Sequence, residues 1–155
     1  MILMSHLSKR WGLTPFLSMF NILAWNVRGL NKRKKQLEVA QLLNSQDVAL
    51  FGLLETKIKE KSMGPLYQTL CPGWCFSHNM NGGRILVAWK GEQMSVNIHF
   101  SSAQVMHLEV QSLLGEIFLC SFVYATSTKN EHMLLFRDLQ NIAQDVKLPW
   151  LVLGD

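Results

Sequence analysis

The chain has 155 residues, a length that fits a single domain. With 48% hydrophobic and 17% charged residues, it is too apolar and too sparsely charged for an intrinsically disordered protein. No run approaches the roughly 18 uncharged apolar residues of a membrane-spanning helix, so the composition favours a soluble globular domain.

The first half of the chain predicts strands that alternate with helices. Residues 1–18 carry no clear pattern and are interpreted as an N-terminal extension. Apolar runs predict one strand at Asn21–Asn26 and another, buried on both faces, at Val48–Leu54. Helical spacing of apolar residues predicts a helix at Asn31–Asn44 and a second one through Pro65–Leu70.

The second half predicts five strands in quick succession. The first two, Trp74–His78 and Arg84–Lys90, are separated by the turn-forming residues 79–83, which favours a hairpin. In the third strand, alternation of Val96, Ile98 and Phe100 predicts one buried face. The last three of the five strands are predicted at Met94–Phe100, Val105–Val110 and Glu116–Tyr124.

The end of the chain predicts one more helix and one more strand. Thr128 and Glu131 have the spacing of a capping box, which predicts a helix that begins at Thr128. A final strand is predicted at Trp150–Gly154. The order β-α-β-α-β-β-β-β-β-α-β is that of an α/β protein with mixed parallel and antiparallel pairing. The buried positions of the helix are predicted to be Leu135, Leu139 and Ile142.

Four polar residues each follow an apolar strand directly. In α/β proteins ligands gather beyond the carboxyl ends of strands, so an amide, a phenol and two carboxylates there favour a binding site. Such a set suits Mg²⁺, which uses only one or two protein carboxylates and retains several waters. The alternative for each residue alone is structural, because strand ends collect turn-forming polar side chains. The four residues are Asn26, Glu55, Tyr124 and Asp155.

Basic residues are concentrated early in the chain, whose net charge is +4. Seven of the 15 Lys and Arg residues precede Glu38, the first acidic residue. Such a run suits the phosphates of a nucleic acid, and the alternative is a solvated first helical turn. The candidate nucleic-acid-binding residues are Arg28, Lys32, Arg33, Lys34 and Lys35.

The cysteine count favours an intracellular protein, nuclear or cytoplasmic. Three cysteines fit no disulfide framework, so a reducing compartment is the simpler interpretation. The N-terminus has no small-residue cleavage site after its apolar stretch, which argues against a secretory signal.

Several separated motifs resemble the endonuclease/exonuclease/phosphatase superfamily, which has the DNase I-like fold. The resemblance covers about residues 19–155 in the order and spacing of the family. Two further segments, Gly82–Lys90 and Leu148–Trp150, look closest to the apurinic-type endonuclease domain of plant LINE retrotransposons. The motifs that carry the superfamily resemblance are Trp25–Asn31, Leu54–Lys57, Val123–Ala125 and Leu151–Asp155.

The resemblance implies a four-layered α/β sandwich that hydrolyses DNA phosphodiesters with Mg²⁺ or Mn²⁺ and no small-molecule cofactor. It implies that Asn26 contacts the phosphate and the metal shell, and that Glu55 is the principal metal ligand. It makes Tyr124 the aromatic or phosphate-contacting residue and Asp155 the first acid of a Gly-Asp-x-Asn motif. An arginine at the position of Arg28 is usual in the retrotransposon branch.

The chain departs from the family pattern after Asp155, its last residue. The asparagine two positions later, a later aspartate and a Ser-Asp-His motif are all missing. Residues 19–155 are therefore interpreted as the N-terminal portion of the domain, with little activity of their own. We expect the chain to stop as it enters the second sheet and to leave an apolar sheet face uncovered. The alternatives are a non-catalytic nucleic-acid-binding remnant and a phosphatase of the same fold.

Overall fold

The computed structural model describes residues 1–4, 21–79 and 84–155. Within these ranges two β-sheets pack face to face, and helices cover their outer faces. The result is the α/β sandwich with mixed sheets that the sequence predicts. Most of the predicted N-terminal extension, residues 5–18, and most of the predicted hairpin turn, residues 80–83, lie outside the described residues.

The first sheet has five strands in the order β1-β2-β3-β5-β4. Strands β2 and β3 run parallel, and the other neighbouring pairs are antiparallel. Strand β1 lies within the predicted extension and pairs with β2, a pairing that the sequence did not predict. The strands are β1 (Ile2–Met4), β2 (Asn21–Asn26), β3 (Val48–Leu54), β4 (Cys75–His78) and β5 (Ile85–Trp89).

Two helices cover the outer face of the first sheet. Helix α1 (Arg33–Ser45) buries Val39 and Leu43, and helix α2 (Met63–Leu70) follows a 3-10 turn at Glu60–Ser62. These apolar side chains recur at helical spacing and pack against the outward-facing residues of β2, β3 and β5. None of the helices in the described ranges is long and apolar enough to span a membrane.

The second sheet has four strands in the order β6-β7-β8-β9. Its pairs are antiparallel except for β8 and β9, which run parallel. Helix α3 (Lys129–Asp145) connects these last two strands and packs Leu135 and Ile142 on the outer face of the sheet. The strands are β6 (Met94–Ser101), β7 (Val105–Ser112), β8 (Ile117–Val123) and β9 (Trp150–Gly154).

The core between the sheets is closed, so the expectation that the chain stops as it enters the second sheet is wrong. Leu50 and Val87 of the first sheet and Met106 and Phe122 of the second are fully buried in one cluster. The predicted uncovered apolar face is therefore also wrong for the inner side of the first sheet. Strands β6 to β8 form by local antiparallel pairing, and β9 returns beside β8, which supplies the second layer.

The predicted buried face of β6 is confirmed in part at Val96, which packs against the core, and is wrong for Ile98 and Phe100. Ile98 is 40% exposed and Phe100 is 37% exposed, although Met94 at the start of the strand is buried. Strand β6 is an edge strand, and its register with β7 shifts between Ile98 and Phe100. The shift breaks the alternation of faces that the sequence pattern assumed.

The N-cap of the predicted capping box, Thr128, is confirmed and gives a stability prediction. The Thr128 side chain accepts a hydrogen bond from the backbone N–H of Glu131, and its hydroxyl donates to the Glu131 carboxylate. We expect Thr128→Ala to lower the free energy of unfolding by about 0.5–2 kcal/mol in urea titrations, because the backbone N–H of Glu131 loses its acceptor at the start of the helix. The neighbouring exposed Ser127→Ala is the control, and an equal loss in both variants would contradict this role.

Candidate active site

The predicted site residues meet at one edge of the sandwich. Strands β2 and β3 are parallel, as are β8 and β9, so within each pair the carboxyl ends lie side by side. The packing of the sheets then brings the end of β2 against the end of β9. Nδ2 of Asn26 donates a hydrogen bond of 2.7 Å to Oδ2 of Asp155. This contact joins the two sheets at the predicted site.

Backbone contacts fix both members of this pair. The N–H of Asp155 donates to the carbonyl of Val123 (3.2 Å), and the Asp155 carbonyl accepts from Ala125 N–H (2.8 Å). A side chain at Gly154 would place its Cβ 2.1 Å from the Val123 carbonyl oxygen, so the approach requires glycine. Asn26 Oδ1 accepts from the N–H of Arg28 at 3.1 Å, which leaves its amide nitrogen directed at Asp155.

Glu55 follows β3 and is held as a carboxylate. Its Oε1 lies 2.7 Å from Nζ of Lys57, and its side chain is only 17% exposed. The hydrogen bond from Lys57 lowers the pKa of Glu55, and a hydrogen bond from Asn26 lowers it further. Asn26 therefore lowers the pKa of Glu55 and donates a hydrogen bond to Asp155.

The backbone around these residues is strained. Arg28, Glu55 and Lys57 have φ values of 52°, 57° and 55°, in the left-handed region that residues other than glycine rarely adopt. Conformations of this kind cost on the order of 1–3 kcal/mol each and tend to cluster at functional sites. Three such residues close together support the interpretation of this edge of the sandwich as a functional site.

Tyr124 follows β8 and is paired with Arg84, a residue that the sequence did not predict as part of the site. The Arg84 guanidinium carbon lies 5.7 Å from the centre of the Tyr124 ring, and its Nη1 is 3.5 Å from the phenol oxygen. The Arg84 carbonyl accepts from Thr56 N–H at 3.2 Å, which ties it to the loop after Glu55. It lies just before β5, and the antiparallel pairing of β5 with β3, which no local sequence signal marks, brings it to the cleft.

A cleft of about 440 Å³ lies between these side chains. Asp155 lines an adjoining cavity of about 370 Å³, and Asn26 and Arg28 line both. No histidine of the described residues lines either space. The predicted site residues that line the cleft itself are Asn26, Arg28, Glu55 and Tyr124.

The predicted basic run divides into two parts. Arg28 lies in the cleft, whereas Lys32 is the N-cap of α1 and Arg33, Lys34 and Lys35 form its first turn. Lys35 is partly engaged, since its ammonium lies 3.1 Å from Glu38 and 5.0 Å from the Trp25 ring centre. The other three cations, Lys32, Arg33 and Lys34, are exposed.

The donor atoms of this site fit a hard divalent cation. Glu55, Asp155 and Asn26 supply two carboxylates and an amide oxygen, the donor types that Mg²⁺ prefers. Within the described ranges no group of three or more His, Cys, Asp or Glu side chains could hold a metal. A metal here would therefore have few protein ligands, as is usual for Mg²⁺.

The Lys57 contact predicts a pH effect. We expect Lys57→Met to raise the pKa of Glu55 towards the ordinary glutamate range, because its main hydrogen-bond donor is lost. Ionised Glu55 stabilises the fold above the ordinary glutamate pKa, and this contribution is lost as pH falls through the lowered value. Carboxyl-carbon NMR titration measures the shift. Exposed Lys59→Met removes the same charge two residues away and should leave the Glu55 titration unchanged.

Comparisons with known proteins identify the fold. No protein-family model and no curated protein sequence matches the chain. Among solved structures, it is similar to the endonuclease domain of TRAS1, a telomere-specific non-LTR retrotransposon, with 11% identity and a TM-score of 0.66 over 88% of this chain and 58% of that one. It is also similar to the AP endonuclease LMAP from Leishmania major, with 12% identity and a TM-score of 0.62 over 88% and 54% of the two chains.

A third solved structure shares the architecture. The 3′ phosphatase NExo from Neisseria, bound to a product DNA hairpin, has 18% identity and a TM-score of 0.59 over 86% of this chain and 56% of that one. Identities this low show the fold, which is the predicted DNase I-like α/β sandwich. The chain spans somewhat more than half the length of each of these three neighbours.

Proposed function

We propose that these residues form the metal-binding part of a Mg²⁺-dependent DNA endonuclease of the retrotransposon type. The observation that supports this most directly is the contact of Asn26 with Asp155, at 2.7 Å, beside the ionised Glu55. Asn26 and Glu55 line the cleft, and the Asn26 amide joins them to Asp155 of the second sheet, which lines the adjoining cavity. The similarity in fold to a retrotransposon endonuclease domain and to an AP endonuclease is consistent with this proposal.

In this proposal Glu55 and Asp155 hold the divalent cation. Asn26 orients the Asp155 carboxylate through its amide nitrogen. Lys57 balances the charge of Glu55 and keeps it deprotonated before a cation enters. A bound Mg²⁺ would act as a Lewis acid that stabilises negative charge on the leaving oxygen.

The opposite wall of the cleft would bind the phosphate. Arg84 and Arg28 present cationic side chains to the cleft, and Tyr124 presents a phenol. An arginine guanidinium suits phosphoryl oxygens because its donors form a planar fork. Stacking against the Tyr124 ring orients the Arg84 guanidinium towards that role.

The first turn of α1 would bind neighbouring DNA phosphates. Lys32, Arg33 and Lys34 are exposed there, and the first turn contains no acidic residue. Cations at a helix N-terminus oppose the helix dipole, so this arrangement is unfavourable for the helix alone. Binding of a polyanion would offset that repulsion, which supports a nucleic-acid substrate over a small neutral one.

We expect these 155 residues alone to cleave weakly, because within the described ranges no histidine lines the cleft to act on the attacking water. Lack of a positioned acid or base lowers the rate about 10²- to 10⁴-fold. Nicking of supercoiled plasmid with Mg²⁺ or Mn²⁺ tests the proposal, with Glu55→Ala as the control variant. Weak nicking that Glu55→Ala abolishes is the expected result, and nicking that persists in this variant would contradict the metal role.

The second candidate is a protein that binds DNA without cutting it. The exposed cations of α1 and the absence of a described histidine from the cleft favour it. Fluorescence anisotropy with a short duplex between 50 and 200 mM salt distinguishes the two. Binding that weakens steeply with salt, without product in any metal, would support binding alone. Binding that does not vary with salt would contradict both candidates.

A further inference from the structure

A separate cavity lies on the outer side of the second sheet, beneath the C-terminal half of α3. Its volume is about 400 Å³, within the range of small-molecule sites. Its floor includes His107 and Glu109 of β7 and Leu119 of β8, and its roof includes Asp138 and Ile142 of α3. The α3 cavity shares no lining residue with the cleft, which involves the N-terminal end of the same helix.

A buried carboxylate lines this α3 cavity. Asp138 is 8% exposed and lies between Leu135 and Ile142 on the inward side of the helix, where an apolar residue is expected. Its one ion pair among the described residues is with the adjacent Arg137, at 3.6 Å, and the Arg137 side chain is 65% exposed. A buried carboxylate destabilises the protein unless it is well paired. Asp138 therefore has capacity for a cationic partner from within the cavity.

The charges around the cavity favour such a partner. Glu109, Asp138 and Asp145 line it, against a single lysine, Lys147. Three of the 11 acidic residues of a chain with net charge +4 thus surround one small space. His99 lies at the rim with Nε2 3.6 Å from Oε2 of Glu109. The local charge is opposite to that of the whole protein.

The floor histidine is held in place and kept neutral. His107 is 6% exposed, and its Nδ1 lies 2.8 Å from Oγ of Ser121, which also accepts a hydrogen bond from Nε1 of Trp150 at 2.9 Å. Burial lowers the pKa of His107, and the nearby His99 lowers it further. The floor of the cavity therefore adds a polar ring without adding positive charge.

The other walls of the cavity are apolar. Ile142 and Val146 of the α3 segment face Leu119 of the sheet, and Phe100 lies at the open side. The register shift in β6 that left Phe100 exposed is also next to this cavity. An aromatic ring beside carboxylates suits a cation that carries an apolar body. Neither an anion nor a fully polar cation would match both walls.

We propose that the α3 cavity binds a small organic cation, a primary amine carried on an apolar body, with Asp138 as its carboxylate partner. This site is independent of the cleft, so it does not depend on DNA cleavage. The ammonium would donate hydrogen bonds to Asp138, and the apolar body would lie between Phe100 and Ile142. The proposal commits to a free amine rather than to the lysine side chain of a partner protein.

The test uses phenethylamine as the probe, with the full chain and two-dimensional amide NMR. We expect saturable shifts at residues 99–109 and 138–148, and none of similar size around Glu55. Phenethyl alcohol and phenylpropionate have the same ring without the positive charge, and neither should bind. Equal binding of the alcohol would show a merely apolar cavity and would overturn the proposal.

Variants then test whether Asp138 is the carboxylate that binds the amine. We expect Asp138→Asn to weaken phenethylamine binding about tenfold or more, because a hydrogen bond to a charged group is lost. Exposed Glu60→Gln removes one charge elsewhere and should change nothing. Phe100→Ala, at a partly exposed position, should weaken binding with the fold intact. Unchanged binding in Asp138→Asn would overturn the proposal.

A second variant and a second amine probe test the same proposal. If Asp138→Asn does not fold, Asp138→Leu, which places an apolar residue at this inward position, must weaken binding, and unchanged binding in that variant would overturn the proposal. Nα-acetyl-lysine amide, which keeps a free side-chain amine, is tested in parallel and stands for the lysine side chain of a partner protein. Tighter binding of this lysine derivative than of phenethylamine would contradict the assignment to a free amine.

Discussion

Glu55→Gln is expected to abolish divalent-cation binding in the cleft. The substitution preserves size and removes the charge of the carboxylate that Lys57 and Asn26 hold ionised. Loss of an outer-shell partner alone lowers metal affinity by about 10- to 100-fold, so loss of a ligand should lower it at least that much. Titration of Mn²⁺ followed by electron paramagnetic resonance measures the affinity without requiring cleavage.

The matched control for this prediction is Glu60→Gln, in the exposed 3-10 turn. It makes the same chemical change outside the cleft and should bind Mn²⁺ as the unaltered chain does. Asp155→Asn should also lower the affinity, because it removes the charge and replaces one of the two carboxylate oxygens with an NH2 group. Equal Mn²⁺ affinity in the unaltered chain and in Glu55→Gln would remove Glu55 as a ligand and, with it, the proposed metal site.

Gly52→Ala is expected to produce a large loss of stability. Gly52 lies in the middle of β3, and a Cβ there would meet the Phe122 ring of β8 at 2.2 Å. Phe122 is fully buried between the sheets, so its ring has no free space to enter. Overpacking of this kind costs about 1–3 kcal/mol and occasionally more. Urea unfolding followed by circular dichroism should show a lower midpoint.

Two companion variants test whether the loss comes from this contact. Gly64→Ala, in α2, adds the same methyl group where nothing lies within 4 Å, and should be neutral or stabilising. Combining Gly52→Ala with Phe122→Leu should recover part of the loss, because the two positions touch and their effects are not additive. A double variant that is destabilised by the full sum of both single losses would place the cause elsewhere.

The site residues that the sequence predicted share one local signal. Asn26, Glu55 and Asp155 each follow an uninterrupted apolar strand, so their placement at a sheet edge needs only the strand ends. Arg84 and Lys57 lacked this signal. Arg84 precedes its strand, and its position in the cleft depends on the antiparallel pairing of β5 with β3, which the residues around it do not specify.

The errors about the second sheet also come from pairing between segments that are distant in the sequence. The strands β6 to β9 were predicted near their observed bounds, but their assembly into one sheet depends on contacts between distant segments. The final strand pairs with β8 only because α3 carries it back over the outer face. Phe100 shows the limit of alternation as a guide, since the register shift after Ile98 changes which face of the edge strand its side chain occupies.

The Asn26–Asp155 contact also bears on the order of folding. Its two residues are 129 positions apart, so it closes almost the longest loop that this chain allows. Contacts this distant form after local hairpins and helices, because the entropy of loop closure must first be offset. The cleft should therefore appear only when the two sheets have docked. A cation that binds there would report the fully assembled state and slow its unfolding.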